Sequence, residues 1–400
     1  MTQTMIPLPA QAIRCIESKD VRMTGVWGDD HGIRLAAVIG SGTMGGGIAM
    51  CFANAGIPVQ LLDADPSALQ RGLATIKRNY EATAAKGKLT AADVAARMAL
   101  ITPIGAYATV ASADIVIEAV FEDMAVKTDV FGKLDAVAKP GAILATNTSY
   151  LDIDAIAATV PARAGFVLGT HFFSPANVMR LLEVVRTKTV TDATLARVLT
   201  LGRNLGKVAV VSGVCHGFIG NRMLNGYLRE AEFLLEEGAS PAQVDKALNA
   251  FGFAMGPFAV MDMAGLDIGW RNRKAFAHLR DPVARWSPLA DRICELGRFG
   301  QKTGAGWYRY EKASRVPIHD PVVDGLIVAA AREQGIVRRH IDADEIVRRC
   351  LVPLVMEGRK ILVEGIAGNA SDIDTVWVNG YGFPAAKGGP MAWGERTQIR

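Results

Sequence analysis

The chain has 400 residues, of which 50% are hydrophobic and 21% are charged. This length and balance predict two or three globular domains, because one hydrophobic core rarely grows that large. The formal net charge of +4 is too small to indicate nucleic-acid binding, and the sequence contains no long basic run with interleaved aromatic residues.

Cysteine usage indicates a reducing compartment. The five cysteines are scattered and lack any CxxC spacing, so we expect neither a disulfide framework nor a metal site. The first twenty residues lack the basic region and apolar run of a secretory signal. The uncharged stretch 35–62 is interrupted by glycines, Asn54 and Pro58, which argues against a membrane span. We therefore expect a cytoplasmic protein without a membrane span.

The first half of the chain has the pattern of an α/β domain. Residues 1–33 show no clear periodicity, and we expect a leader or linker there. From Arg34 onward, short apolar runs bounded by Gly, Pro and Asp alternate with longer alanine-rich segments, which predicts a parallel sheet covered by helices on both faces. Residues 34–213 are predicted to form one doubly wound domain. The predicted strands are 35–39, 59–63, 114–120, 142–147, 166–173, 181–186 and 207–212.

A glycine-rich motif follows the first predicted strand. Gly40, Gly42 and Gly45 form a GxGxxG pattern with Thr43 and Met44 inside it. Glycines at these places permit a tight turn and close approach of the backbone to a pyrophosphate, whose charge a helix N-terminus favours. The pattern alone is weak evidence, because an ordinary flexible turn can also contain it.

The end of the second predicted strand strengthens the dinucleotide interpretation. Asp63 lies 21 residues beyond Gly42, where a carboxylate would bind the adenine ribose hydroxyls. Such a carboxylate would repel a 2′-phosphate, which favours NAD over NADP as the cofactor. The competing interpretation of Asp63 is a helix cap, but Asp65, just before Pro66, suits that role better.

Two polar residues near the end of this region are candidates for proton transfer. His171 lies at the end of a predicted strand, where ligands of open α/β sheets bind, and histidine gains and loses a proton near neutral pH. Glu183 lies inside the apolar run 181–185, where a buried carboxylate needs a partner. A strand, a turn and a returning strand would bring Glu183 to His171. An exposed edge position for Glu183 is an equally good interpretation of the pattern.

After Gly217 the strand pattern stops. Residues 217–237 predict one long helix that ends at Gly238, and Ser240 with Pro241 predicts the start of the next helix. The remaining chain is predicted to be all α-helical.

An internal repeat relates residues 222–257 to residues 349–390. We expect a duplicated helical unit with parts at 214–312 and 313–400, the second in a truncated or diverged form. The matching pairs are Arg222/Arg349, Leu224/Leu351, Glu230/Glu357, Glu237/Glu364, Gly238/Gly365 and Asp245/Asp374, together with two Gly-Phe dipeptides.

These motifs together resemble the 3-hydroxyacyl-CoA dehydrogenase family. The matching segments are GSGTMGGGIA (40–49), DIVIEAVFEDMAVK (114–127), ATNTS (145–149), THFFSPANVMRLLEVV (170–185), GFIGNRM (217–223) and GQKTGAGWY (300–308). The helical repeat 340–391 resembles that of bifunctional enzymes, which fuse an enoyl-CoA hydratase to this dehydrogenase. We expect the hydratase half to be absent, with residues 1–33 as a vestige of the junction.

The resemblance implies a Rossmann-type NAD-binding domain and a catalytic site. The implied activity is NAD-dependent oxidation of an (S)-3-hydroxyacyl-CoA to a 3-ketoacyl-CoA in fatty-acid β-oxidation. His171 would be the base and Glu183 its partner, and Ser149 and Asn221 would hydrogen-bond the 3-oxygen. Ser149 has a competing interpretation as a helix cap, and Asn221 as an ordinary polar helix residue.

The resemblance also implies contacts with the cofactor and with coenzyme A. Glu122 and Lys127 would help to seat NAD near its ribose and nicotinamide, although they could instead form a local surface pair. Ser149 and Ser174 are further cofactor candidates, but Ser174 replaces an Asn common in monofunctional members, which weakens that assignment. The basic candidates for the CoA moiety are Lys77, Lys86 and Lys88, for which a solvated helix face is the alternative.

Two other functions fit the same motifs. One is an NAD-dependent dehydrogenase of a small free hydroxy or sugar acid, and the other is a non-catalytic NAD-binding structural subunit. For the assembly we expect either a homodimer through the helical domain or a pseudo-dimeric monomer, in which the second repeat takes the place of a partner subunit.

Overall fold

The computed structural model describes residues 31–312 and 314–399. Most of the leader or linker predicted at 1–33 therefore lies outside the described residues. The chain divides into two compact units, and the boundary along the sequence lies between Val214 and Cys215. Both predicted helical parts, apart from Val214, belong to the second unit, and the predicted division between them at residue 312 stays a prediction.

The first unit contains an eight-stranded sheet in the order β3-β2-β1-β4-β5-β6-β7-β8. All neighbouring strands are parallel except β6 and β7, which run antiparallel. The order in which strands are added to the sheet reverses at β1: β2 and β3 lie on one side of it, and β4 to β8 lie on the other. The strands are β1 (Ala36–Ile39), β2 (Val59–Leu62), β3 (Ile101–Ile104), β4 (Ile115–Glu118), β5 (Ile143–Thr146), β6 (Val167–Phe172), β7 (Leu181–Arg186) and β8 (Val208–Gly213).

Helices cover both faces of this sheet. Successive side chains of a strand point to opposite faces, and accordingly Ala36 and Val38 belong to one buried cluster while Ala37 and Ile39 belong to another. The predicted doubly wound α/β class is confirmed. The described helices are α1 (Thr43–Asn54), α2 (Pro66–Ala84), α3 (Ala91–Ala99), α4 (Met124–Val137), α5 (Ile153–Ala158) and α6 (Asp192–Asn204).

The strand β3 was not predicted from the sequence. Its four residues include Thr102 and Pro103, both exposed, so the run lacks the continuous apolar character of the other strands. Proline has no N–H to donate to a neighbouring strand and is therefore confined to sheet edges, and β3 is an edge strand.

The second unit is helical. Its first predicted helix begins later than expected, at Gly220, and ends at Glu237, while Ser240 caps the next helix through a capping box with Gln243. None of the described helices combines the length and the apolar run that a bilayer crossing requires. The helices are α7 (Gly220–Glu237), α8 (Pro241–Phe251), α9 (Pro257–Ala264), α10 (Leu266–Ala275), α11 (Leu289–Glu295), α12 (Pro321–Glu333), α13 (Ala343–Val363), α14 (Ala370–Gly380) and α15 (Pro390–Arg396).

The two repeats exchange ion pairs across the contact of α7 with α13. Arg222 of the first repeat binds Glu357 at 2.7 Å and Glu364 at 2.6 Å. The matching Arg349 of the second repeat binds Glu230, at 2.9 Å, and Glu237. Glu357 and Glu364 occupy in the second repeat the positions that Glu230 and Glu237 occupy in the first. The two arginines therefore make equivalent contacts, and the repeats pair in the manner of a two-fold symmetric dimer.

A second matched feature lies away from the helix pair. Asp245 accepts hydrogen bonds from the backbone N–H groups of Phe258 and Ala259, at the start of α9. Asp374 accepts the equivalent bonds from Met391 and Ala392, at the start of α15. Burial raises the pKa of both carboxyl groups to about 6. The duplicated helical unit predicted from the sequence therefore has equivalent local structure in its two copies.

Candidate active site

The loop after β1 depends on two of its glycines. Gly40 has a φ of +98°, and a Cβ there would lie 2.6 Å from the carbonyl oxygen of Ala119, which follows β4. A Cβ on Gly45 would lie 1.8 Å from the oxygen of Gly40. A side chain at Gly40 would push the loop away from the end of β4, and a side chain at Gly45 would push α1 away from the loop.

The third glycine of the motif faces open space. A Cβ on Gly42 would meet nothing within 4 Å, and Gly42 and Thr43 are exposed, while Met44 packs partly against the core. Gly42 is the N-cap of α1, and no side-chain hydrogen bond caps that helix end. The first N–H groups of α1 can therefore bind an anionic ligand, and the small cradle at Gly42 fits the pyrophosphate of a dinucleotide.

Asp63 holds the same loop. Its Oδ2 accepts hydrogen bonds from the Ser41 backbone N–H at 2.8 Å and from the Ser41 hydroxyl at 2.7 Å. Its Oδ1 accepts from the Asp65 N–H at 3.1 Å. A carboxylate offers about four lone-pair sites, so capacity remains for a ribose hydroxyl. Asp65, not Asp63, caps α2, through the N–H of Ser67.

A buried lysine lies between two glutamates at the ends of β4 and α4. Lys127 is 1% exposed, and its Nζ lies 2.7 Å from Glu118 Oε1 and 3.4 Å from Glu122 Oε2. A local surface pair is therefore the wrong interpretation of Glu122 and Lys127. A buried ammonium is tolerable only with such anionic partners, so the three side chains form one unit.

Glu118 was missed in the sequence, although a signal was present. It lies in the apolar run DIVIEAV, just as Glu183 lies in LLEVV. The Glu118 side chain is fully buried, and its two oxygens also accept from the backbone N–H of Val120 and the hydroxyl of Thr146. The carboxylate thereby joins the carboxyl ends of β4 and β5.

Glu122 organises the turn that carries Ser149. Its Oε1 accepts hydrogen bonds from the Thr148 hydroxyl at 2.5 Å and from the Ser149 backbone N–H at 2.8 Å. The helix α5 that follows is capped by Asp152 through the Ala155 N–H, so Ser149 is not its cap. The Ser149 side chain is partly buried at the end of β5, on the edge of the sheet where the glycine loop lies.

His171 and Glu183 are brought together by strand register. They are directly opposite each other on the antiparallel strands β6 and β7, and His171 Nδ1 lies 2.8 Å from Glu183 Oε2. His171 is 5% exposed and Glu183 is fully buried. The alternative of an exposed edge position for Glu183 is therefore wrong. A buried carboxylate beside Nδ1 fixes the ring orientation and the tautomer.

The loop between β6 and β7 carries Ser174 and is anchored by hydrogen bonds to its backbone carbonyls. Ser174 is exposed, whereas Ala176 is buried and its carbonyl oxygen accepts from Lys207 and from the Cys51 thiol. Lys207 also donates to the carbonyl of Met179 at 2.8 Å. Burial raises the pKa of the Cys51 thiol, so Cys51 is a protonated donor and not a nucleophile.

The remaining candidates belong to the helical unit and to α2 with the turn after it. Asn221 belongs to the helical unit, in the first turn of α7, and its Oδ1 accepts from the Tyr381 hydroxyl at 2.9 Å. Lys77, on α2, and Lys86 and Lys88, after it, are exposed, and Lys77 lies 3.8 Å from Glu81. Among the described residues, no group of three or more His, Cys, Asp or Glu side chains is arranged to hold a metal ion.

Family models match most of the chain. The model for the "3-hydroxyacyl-CoA dehydrogenase, NAD binding domain" matches residues 35–215, and the model for the "3-hydroxyacyl-CoA dehydrogenase, C-terminal domain" matches residues 217–310. The first match covers the sheet with the glycine loop and the His171–Glu183 pair, and the second begins just before α7.

Individual proteins agree with the family models. The chain is 46% identical over 371 residues to the peroxisomal bifunctional enzyme of Cavia porcellus, covering 88% of this chain and 50% of that protein. It is 34% identical to the fatty acid oxidation complex subunit alpha of Pseudomonas putida, covering 91% and 51%. The chain thus spans about half the length of these curated relatives. The crystal structure of 3-hydroxybutyryl-CoA dehydrogenase from Escherichia coli K12 superimposes with a TM-score of 0.78 at 28% identity, covering 91% of this chain and 92% of that one.

Proposed function

This chain belongs to the 3-hydroxyacyl-CoA dehydrogenase family, with its NAD-binding and C-terminal domains, and we propose from that premise that it oxidises (S)-3-hydroxyacyl-CoA to 3-ketoacyl-CoA. The observation that carries the proposal is the buried His171–Glu183 pair at the carboxyl edge of a dinucleotide-binding sheet. Fatty-acid β-oxidation is the process in which such a reaction takes place.

His171 is proposed to accept the proton of the substrate hydroxyl. Because an ionised carboxylate can only accept, the Nδ1 atom that faces Glu183 carries the ring proton, and the neutral ring has its lone pair on Nε2, which is the basic atom. The Glu183 carboxylate then stabilises the imidazolium that forms. In the reverse direction the same protonated ring returns the proton to the oxygen of the 3-keto group. Bound NAD⁺ supplies the hydride acceptor.

The other polar residues are proposed to bind and orient. The loop N–H groups at Gly42 and Thr43, with Asp63, would hold the pyrophosphate and adenine ribose, and Met44 would line the same loop. Glu122 and Lys127 would help to seat the cofactor near its ribose and nicotinamide, where Ser174 would add a further contact. Ser149 and Asn221 would donate hydrogen bonds to the 3-oxygen. Lys77, Lys86 and Lys88 are proposed, on charge alone, as contacts for the CoA phosphates.

The first experiment measures NADH oxidation with acetoacetyl-CoA, with NADPH and free acetoacetate in parallel reactions. We expect rapid turnover only with NADH and the CoA ester, since Asp63 would repel a 2′-phosphate. Equal turnover with free acetoacetate would favour a dehydrogenase of small hydroxy acids. Binding of NADH without turnover of either substrate would contradict the proposed reaction and favour a structural NAD-binding subunit.

The assembly is proposed to be a pseudo-dimeric monomer. The exchanged ion pairs of Arg222 and Arg349 support this choice over a homodimer, because the two repeats already pair with each other in a two-fold symmetric manner within one chain. For the location we propose the cytoplasm, as the scattered cysteines without a CxxC spacing suggest. Relatives include proteins named as peroxisomal, which makes an organelle lumen the competing location.

A further inference from the structure

The helical unit contains a hydroxyl–amide contact between its two repeats. The Tyr381 hydroxyl, from the second repeat, donates to Asn221 Oδ1 at 2.9 Å. A Cβ on Gly220 would lie 2.4 Å from the Tyr381 ring and hydroxyl, so only glycine leaves room for this approach. The Tyr381 ring also stacks on Trp377, with centroids 4.7 Å apart. The hydroxyl is therefore positioned by the packing of its ring against Gly220 and Trp377.

The internal symmetry of the unit is broken at this contact. Phe251 occupies in the first repeat the position of Tyr381 in the second, and Arg348 matches Asn221. The residues that hold the repeats together are the same in both copies, as the paired arginines illustrate. Neither the hydroxyl nor the amide has a counterpart at the symmetry-related place. Packing of the repeats therefore does not explain why a hydroxyl is present here.

The contact determines which end of the Asn221 amide is available. The terminal torsion of asparagine is broad and roughly two-fold, so the side chain can present either its oxygen or its NH₂ group. With Oδ1 engaged by the Tyr381 hydroxyl, the Nδ2 group is the end that can donate to a ligand. An oxygen that carries or gains negative charge requires donors.

We propose that Tyr381 is a positioning residue, which orients the Asn221 amide so that Nδ2 donates to the 3-oxygen of the substrate. The inference rests on the proposed function, because it assumes that Asn221 binds that oxygen. It assigns the second helical repeat a part in the reaction in addition to its part in assembly.

The first test substitutes Tyr381→Phe, which places in the second repeat the residue that the first repeat has. We expect kcat with acetoacetyl-CoA to fall about 3- to 10-fold, the loss that corresponds to one neutral hydrogen bond. The Kd for NADH and the melting temperature should not change. The matched control is Tyr227→Phe, because Tyr227 also packs against Trp377, with ring centroids 6.1 Å apart, and no hydrogen bond among the described residues joins it to Asn221. That variant should retain wild-type kcat.

The second test combines Tyr381→Phe with Asn221→Ala. We expect Asn221→Ala alone to lower kcat by about 10²-fold, as loss of a donor to a developing oxyanion does. Adding Tyr381→Phe to it should change kcat less than about twofold, because the amide that the hydroxyl orients is gone.

Each contrary result has a separate meaning. An equal loss from Tyr381→Phe in both backgrounds would overturn the inference, since the hydroxyl would then act without Asn221. Wild-type kcat in Tyr381→Phe, with Asn221→Ala impaired, would overturn the inference and leave the role of Asn221 intact. Wild-type kcat in Asn221→Ala would overturn both assignments, while the reaction itself would still be tested by the acetoacetyl-CoA assay.

Discussion

A buried carboxylate beside a buried imidazole restricts what His171 can do. Glu183 has no access to water, so its charge needs the Nδ1–H of His171 as a partner. Removing the imidazole would take away the ring N–H that faces Glu183, whereas an amide of similar size can still donate to it. Glutamine is therefore the replacement that separates loss of the base from damage to the surrounding packing.

We expect His171→Gln to lower kcat with acetoacetyl-CoA by about 10²–10⁴-fold, because the amide cannot accept the hydroxyl proton as the imidazole does. The Kd for NADH, measured by fluorescence titration, should stay at the wild-type value, since the glycine loop does not depend on His171. The control is His319→Gln, which makes the same change at an exposed histidine of the other unit. Wild-type turnover in His171→Gln would contradict the assignment of the base.

Polar residues inside apolar runs gave a partial guide to this site. The position of Glu183 in LLEVV was interpreted, and its contact with His171 follows from the register of β6 and β7. The equivalent position of Glu118 was overlooked, and its hydrogen bonds to Val120, Lys127 and Thr146 join β4 to α4 and to the neighbouring strand β5. Such a residue shows in the sequence that a partner is required, but the partner's identity depends on which strands become neighbours.

At the scale of secondary-structure elements, the ion pairs between α7 and α13 are matched in exposure as well as in sequence. The side chains of Arg222 and Arg349 are 19% and 20% exposed, and each binds two glutamates of the other repeat. Partial burial makes these pairs stronger than surface pairs, because solvent screens them less. Removal of one arginine leaves two carboxylates close together.

We expect Arg222→Met and Arg349→Met each to lower the free energy of unfolding by about 1–3 kcal/mol, between the values for surface and fully buried pairs. The two losses should be similar, because the environments are matched. Urea unfolding followed by circular dichroism measures them, with Arg315→Met, at an exposed position, as the control without effect. A loss below about 0.5 kcal/mol in both variants would show that the exchanged pairs do not hold the repeats together.

For the whole molecule, the exchanged pairs bear on the assembly. A two-fold symmetric interface uses the same surface of two copies, and here the two copies are repeats within one chain. Light scattering coupled to size exclusion should therefore give a mass near 42.6 kDa, the mass of one chain, at micromolar concentration. A mass of twice that value would contradict the pseudo-dimeric monomer and show that another surface joins two chains.

The sequence by itself determined the alternation of strands and helices, the glycine loop, the repeat and the family, because each depends on local periodicity or on spacing along the chain. It missed β3, because Pro103 removes the strand pattern at a sheet edge, where that residue is tolerated.

Only the tertiary structure decided that Lys127 is buried between two glutamates and that Tyr381 contacts Asn221, 160 residues earlier in the chain. The physical reason is that burial and side-chain pairing depend on which elements pack together, and packing brings residues into contact irrespective of their separation in sequence.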